Sequence, residues 1–193
     1  MFKQKIDNKF SEKTLIILSV ASFLLLIIAS VFVIYLLELS NYGGTLEKTQ
    51  LGFDGEYLKE QFAKMTEKER KLFIIANIVD YGFMLTYGVF FFSTALLLTR
   101  KIDQKLWWKK TGFYVALMGI GSAISDGIEN IFLLIMATNP INFPNWLAYG
   151  HSTFAVIKFV FMYTCFGWIT ITIVLIVIRI VVKSIKKEEK EKN

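Results

Sequence analysis

The sequence is poor in cysteine, histidine and proline. It holds one cysteine, one histidine and two prolines in 193 residues. A single cysteine excludes an intrachain disulfide and leaves the redox compartment undetermined. A single histidine excludes bis-histidine haem ligation and an H-E-x-x-H zinc site. The chain also has no P-loop and no G-x-S-x-G nucleophile motif. The sequence therefore predicts no metal site and no cofactor.

Charge is scarce as well. Only 20% of the residues are charged and 54% are hydrophobic, with a mean hydropathy of +0.50, whereas soluble domains average about 25% charged residues. The charges are clustered between long charge-free runs, which indicates an integral membrane protein with the lipid bilayer as its main partner. Segments of about ten residues with alternating hydrophobicity are absent, which excludes transmembrane strands.

Four apolar runs are long enough to span a bilayer, since a helix needs about 20 residues to cross a ~30 Å core. They cover residues 14–37, 72–99, 111–137 and 147–182. The first run exceeds the ~7–15 apolar residues of a signal peptide, so we expect it to be retained as a span. The predicted fold is an all-α, four-helix membrane bundle.

The bundle is predicted to form a single domain over residues 1–193, with its last helix continuing toward a basic tail at 183–193. Fifteen Lys and Arg residues lie on one side of the four runs, against six in the 38–71 connection and none in the 138–146 turn. The fifteen are Lys3, Lys5, Lys9, Lys13, Arg100, Lys101, Lys105, Lys109, Lys110, Arg179, Lys183, Lys186, Lys187, Lys190 and Lys192.

This asymmetry predicts a multi-pass protein of the plasma membrane with both termini in the cytosol. In the simplest interpretation the basic clusters only determine the orientation of the protein in the membrane. The alternative is that they also contact anionic lipid headgroups. They carry no nucleic-acid recognition motif, so nucleic acid is not an expected partner.

The 38–71 connection is predicted to lie outside the cytosol and to carry one short amphipathic helix. Its N-Y-G-G stretch is a turn signal. Apolar side chains then recur at helical spacing, which predicts a helix on the outer membrane surface or on the top of the bundle. They are Tyr57, Leu58, Phe62 and Met65. Thr66 and Glu69 have capping-box spacing and are expected to start the second long helix.

Aromatic residues flank the predicted spans. Both prolines lie in N-P-I-N-F-P-N-W, which predicts a tight turn. Trp146 and Tyr149 follow this turn, and Trp107 and Trp108 precede the third run on the other side. Each pair is expected to anchor its helix at a membrane interface. Trp168 has no such explanation.

The third run carries polar residues on one face only. Asp126, Glu129 and Asn130 fall within five residues, and at about 100° per residue they share an arc with Gly119. Isoleucine and leucine side chains occupy the opposite face. Small residues at 119, 123 and 127 form a ladder that lets another helix approach closely. The carboxylates are therefore predicted to point into the bundle and not into lipid.

The second and fourth runs offer partners for these groups. Asn77, Asp80 and Tyr87 share one face of the second run, and His151 and Lys158 share one face of the fourth. The first run has no ionisable residue between Lys13 and Glu38, so we expect a peripheral helix held by packing alone.

Four ionisable groups are predicted to lie at the same depth in the membrane. Asp80, Asp126, Glu129 and Lys158 are expected roughly 12–17 Å below the outer surface, at 1.5 Å per helical residue. The sequence thus predicts an ion pair between Lys158 and at least one of the carboxylates. The formal charge of the cluster is −2. His151 is expected near the outer boundary, either as a polar residue at headgroup level or as a ligand.

Three classes of function are compatible with this cluster. The first is binding or transport of a proton, a cation, or a small polar or lipid ligand such as a headgroup, since ionisable residues inside a membrane mark functional sites. The second is an enzyme acting on a lipid-like substrate, with Asp126 and Glu129 as acid and base. The third is an accessory subunit whose ion pairs only specify helix pairing. A channel would require an oligomer, and catalytic residues stay unassigned.

The predicted site follows from these faces. The candidate residues for ligand or proton binding are Asp80, Asp126, Glu129, Asn130, Lys158, His151, Asn77 and Tyr87.

Overall fold

The structure is a computed structural model that describes residues 10–102 and 106–192, with side-chain surroundings for 10–102 and 107–187. Within these ranges the chain is helical, without strands. The predicted basic residues Lys3, Lys5, Lys9 and Lys105 lie outside the described residues, as do the side chains of Lys190 and Lys192.

Four long helices and two short ones make up the described chain. They are α1 (Glu12–Leu39), α2 (Leu46–Leu51), α3 (Gly55–Ala63), α4 (Glu67–Lys101), α5 (Leu106–Thr138) and α6 (Trp146–Lys192). The four long helices are long and apolar enough to cross a membrane, which confirms the prediction at that level. Each extends past its predicted run because polar residues at its ends continue the helix beyond the apolar stretch. The continuation of α6 into the basic tail was also predicted correctly.

Polar side chains set where four of these helices begin. Ser11, Thr45 and Asp54 are the N-caps of α1, α2 and α3, and each side chain accepts a hydrogen bond from a backbone N–H of the first turn. The predicted capping box of α4 is confirmed. Thr66 N donates to Glu69 Oε2 at 2.7 Å, and Glu69 N donates to Thr66 Oγ1 at 3.3 Å.

The long helices pack in chain order, α1 along α4, α4 along α5, and α5 along α6. Among the described residues of α1, only Leu15, Ser19 and Ser22 are buried within the helix. Ser19 Oγ donates a 3.0 Å hydrogen bond to Ser93 Oγ of α4. The helix is therefore peripheral, as its lack of ionisable residues predicted, and its main packing is against α4 and not α6.

Small residues bring α4 and α5 together, at two of the three positions of the predicted ladder. A Cβ atom added to Gly119 would lie 2.6 Å from Phe91 Cβ, and one added to Gly88 would lie 2.8 Å from Ala123 Cβ. At Gly127 the nearest atom, Tyr81 Cε1, would be 3.7 Å away, so this third position does not require glycine. The aliphatic face of α5 is exposed, as expected, because the polar face turns toward the other helices.

The connection between α1 and α4 differs from its prediction in holding two helices and not one. The unpredicted α2 has six residues, too few for hydrophobic periodicity to reveal. The predicted helix is α3, and its Leu58 and Phe62 are almost fully buried. The Phe62 ring packs against Phe73 and Phe143, with centroids 5.5 and 6.5 Å away. The apolar face of α3 thus covers one end of the bundle.

The tryptophans divide into two kinds. Trp107 and Trp146 are exposed, at 57% and 61% of their surface. Trp108 differs from the expected anchor, because its ring stacks on Trp168 with centroids 5.8 Å apart. Trp108 Nε1 donates to Thr172 Oγ1 at 3.2 Å. This pair joins α5 to α6 and gives Trp168 a packing role.

Candidate functional site

Lys158 of α6 lies between two carboxylates of α5. Its Nζ is 3.1 Å from Asp126 Oδ1 and 2.6 Å from Glu129 Oε2, so the predicted ion pair is confirmed. All three side chains are buried. Asp126 and Glu129 are three residues apart, which places them on one face of α5 within reach of the same amine.

Glu129 is fully buried and makes few directed contacts. Neither carboxylate oxygen has a hydrogen bond of acceptable geometry among the described residues, although Lys158 Nζ is close to Oε2. His151 Nε2 lies 3.9 Å from Oε1. Glu129 is therefore held mainly by the charge of Lys158.

Asp126 is satisfied on both oxygens. Tyr87 of α4 donates its hydroxyl hydrogen to Asp126 Oδ2 at 2.9 Å. Lys158 Nζ donates to Oδ1. Ser122, whose role sequence reasoning missed, donates to the backbone oxygen of Lys158 at 3.1 Å and fixes α6 beside α5.

Asp80 of α4 has a neutral partner only. Asn130 Nδ2 donates to Asp80 Oδ2 at 2.7 Å. Within 10–102 and 107–187, no cationic side chain forms an ion pair with Asp80. The carboxylate is half-buried, whereas Asp126 and Glu129 are buried. Asp80 is thus the carboxylate of the cluster that lacks a countercharge.

A cavity of about 330 Å³ lies in front of the cluster. Its volume falls in the ~300–1,000 Å³ range of small-molecule sites. Six of the eight predicted site residues line it, whereas Glu129 and His151 do not. The six are Asn77, Asp80, Tyr87, Asp126, Asn130 and Lys158. Asn77 Nδ2 donates to Phe73 O at 2.7 Å within its own helix, which leaves its amide oxygen and its second N–H for a ligand.

His151 is fully buried and bridges two elements, so the structure places it neither at an exposed boundary nor in the cavity wall. Its Nδ1 is 3.2 Å from Glu129 O of α5, and its Nε2 is 3.0 Å from Thr49 O of α2. A neutral imidazole has one N–H, so it donates to one of these carbonyl oxygens at a time. His151 therefore fastens α2 to the bundle beside the cluster.

Gln50 of α2 is the site residue that sequence reasoning missed. It lines the same cavity as the charged groups, and its Oε1 is buried with no hydrogen-bond partner in the described part of the chain. Nothing in the six-residue α2 could have revealed this position, because its contact with the cavity depends on the tertiary attachment of α2 through His151 and Ser152. Ser152 Oγ accepts a hydrogen bond from Phe53 N at 3.1 Å.

We expect His151→Ala to release α2 from the bundle. The substitution removes both carbonyl contacts and leaves a buried void, so the amides of residues 46–51 should exchange hydrogen faster, while those of the α5 core stay protected. Hydrogen-exchange mass spectrometry measures this. Thr153→Ala, two residues along α6 at an exposed position, is the control and should leave exchange in α2 unchanged. Equal protection of α2 in His151→Ala and wild type would contradict the fastening role.

Comparison with known protein families, with curated proteins and with solved structures finds no match to this chain.

Proposed function

We propose that this protein is a multi-pass membrane protein whose cavity binds a cation or the positively charged group of a small polar or lipid ligand. The observation that carries the proposal is Asp80, a carboxylate in the cavity wall with an amide partner and no countercharge. Three carboxylates face a single lysine, so the cluster keeps a formal charge of −2. A cationic ligand supplies the charge that the described side chains lack.

Energetics support a ligand over an empty site. A charged side chain at mid-membrane costs about 2.5–3.5 kcal/mol on insertion scales. Lys158 offsets part of this cost for Asp126 and Glu129, but it makes no ion pair with Asp80. A hydrogen bond to a charged group contributes about 1.5–3 kcal/mol, so an ammonium bound at Asp80 would compensate for much of the remaining cost. Proton exchange at the same carboxylate belongs to this proposal.

Binding is better supported than acid–base catalysis. An enzyme would need Asp126 and Glu129 to reach a substrate. Asp126 already has a hydrogen bond on each oxygen, and Glu129 does not line the cavity. Asp80 and Asn77 line the cavity as well, and both have side-chain oxygen atoms that can accept a hydrogen bond from a ligand.

The proposed topology has four spans and both termini in the cytosol of a plasma-membrane protein, supported by the clustering of basic residues at one end. In a Cys165→Ser background, cysteines introduced at Thr45 and Asn142 should react with an impermeant maleimide added to intact cells. Cysteines at Gln104 and Lys190 should react only after permeabilisation. Labelling of the Gln104 site from outside would refute this orientation.

The binding proposal predicts that Asp80→Asn weakens binding of butylammonium, a small cationic probe. Loss of one charge-assisted hydrogen bond should reduce affinity by roughly tenfold or more, measured by calorimetry on protein in lipid nanodiscs. The asparagine oxygen can still accept from Asn130, so the fold should persist. Glu60→Gln, which removes an exposed carboxylate paired with Lys64, is the matched control and should bind as wild type does. Undiminished binding by Asp80→Asn would refute the proposal.

A further inference from the structure

One side of the cavity is formed by parts of α1 and α2. The residues on this side are Val33 and Leu37 of α1 and Leu46 and Gln50 of α2. Helix α1 packs mainly on α4, α6 packs mainly on α5, and the short helix α2 packs against α6. On that side the cavity is therefore bounded by α1 and the six-residue α2, because α1 and α6 are not one of the main packed helix pairs.

An apolar groove continues from the cavity on this side. It runs between α2 and α6, has a volume of about 500 Å³, and shares Leu46, Gln50 and Phe159 with the cavity. Its remaining α6 wall consists of Val156, Val160 and Tyr163. These positions bracket Lys158 along α6, so the groove opens at the level of the charged cluster.

Gln50 lies where the cavity meets the groove. Its buried Oε1 has no hydrogen-bond partner among the described residues. A buried amide oxygen without a donor costs about 1–3 kcal/mol, and only a donor group can satisfy it. The junction thus offers an acceptor on one side, the carboxylate of Asp80 on the other, and a hydrocarbon surface beyond.

We propose that the ligand is a membrane-dissolved amphiphile with a protonated amine head and a single hydrocarbon chain, an inference that rests on the proposed cation site. The ammonium binds Asp80 and donates a second hydrogen bond to Gln50 Oε1. The chain leaves the cavity between Leu46 and Phe159 and lies along Val160 and Tyr163. The bilayer is the source of this ligand, because Val160 and Tyr163 in the groove wall are themselves exposed on the surface of α6.

Comparing dodecylammonium with butylammonium distinguishes the contribution of the ammonium head to affinity from that of the hydrocarbon chain. Both carry the same ammonium, but only the longer one reaches the groove. Binding is measured on protein in nanodiscs, with ligand concentration expressed as its mole fraction in the membrane, because partitioning alone raises the apparent affinity of a long chain by about 0.8 kcal/mol per CH₂. On this scale dodecylammonium should bind more tightly than butylammonium.

Val160→Trp fills the groove with a bulkier side chain at an exposed position. It should weaken dodecylammonium binding by about tenfold or more, the effect of losing ~1.4 kcal/mol or more, and should weaken butylammonium far less. Val174→Trp, at an exposed site farther along α6 and outside the groove, is the control and should bind both amines as wild type does. Dodecanoate, with the same chain length and an anionic head, should not compete.

Each contrary result has a distinct meaning. Equal affinity for the two amines, unaffected by Val160→Trp but lowered by Asp80→Asn, would overturn the amphiphile and leave the cation site standing. Competition by dodecanoate would overturn the amine head. If neither amine binds, both this inference and the proposed function are overturned.

Discussion

Replacing Lys158 with methionine should lower the free energy of unfolding by about 3–5 kcal/mol, because it leaves two buried carboxylates facing each other without a cation. Methionine has nearly the length of lysine, so packing changes little. The decrease in the free energy of unfolding therefore measures the effect of removing the positive charge. Lys158 Nζ is the countercharge within 4 Å of both Asp126 and Glu129. Reversible unfolding of wild type and variant in the same bilayer mimetic measures the difference.

Lys64→Met is the matched control for this experiment. Lys64 pairs with Glu60 at 2.6 Å, but both side chains are more than half exposed. An exposed ion pair contributes about 0–1 kcal/mol, so Lys64→Met should be close to wild type. A Lys158→Met variant as stable as Lys64→Met would mean that the buried carboxylates do not depend on this lysine.

Neutralising the carboxylates along with Lys158 should recover most of the lost stability. The triple variant combines Asp126→Asn, Glu129→Gln and Lys158→Met. It leaves no buried charge on α5 or α6 within the cluster. Replacing a whole buried ion pair with neutral groups of similar volume is often neutral or stabilising. The oxygen of an asparagine at position 126 can still accept the Tyr87 hydrogen bond. The triple variant should therefore unfold within about 1 kcal/mol of wild type.

The same unfolding assay measures the recovery. A triple variant no more stable than Lys158→Met would show that the directed contacts of this cluster, and not its charge balance, hold α5 and α6 together. In that case the ion pairs would be a fold-specifying device.

The polar face of the bundle could be predicted because helical periodicity fixes it. Asp126, Glu129 and Asn130 on α5, and Lys158 on α6, face inward as their spacing requires. Depth along each helix follows from 1.5 Å per residue, which is why the Lys158 pairing was predictable from separate segments. The sequence also sufficed for the Thr66 capping box, since its donors and acceptors are three residues apart.

The roles of α2 and His151 could not be predicted because they depend on attachment between distant segments. Thr49 and His151 are 102 residues apart, and their contact involves a backbone oxygen that any residue could supply. The distribution of partners within the cluster was equally hidden. Which carboxylate receives the lysine and which receives Asn130 depends on side-chain geometry that periodicity does not specify.

The most direct test of the central claim is calorimetry of butylammonium binding to a variant in which the whole cluster is neutral. This variant is made by adding Asp80→Asn to the triple variant. The claim is that the cluster is a binding site and not only a fold-specifying set of ion pairs. We predict a variant that is folded, with stability close to wild type, and that binds no butylammonium. Wild-type affinity in this folded, neutral variant would contradict the account and leave a structural role for the charges.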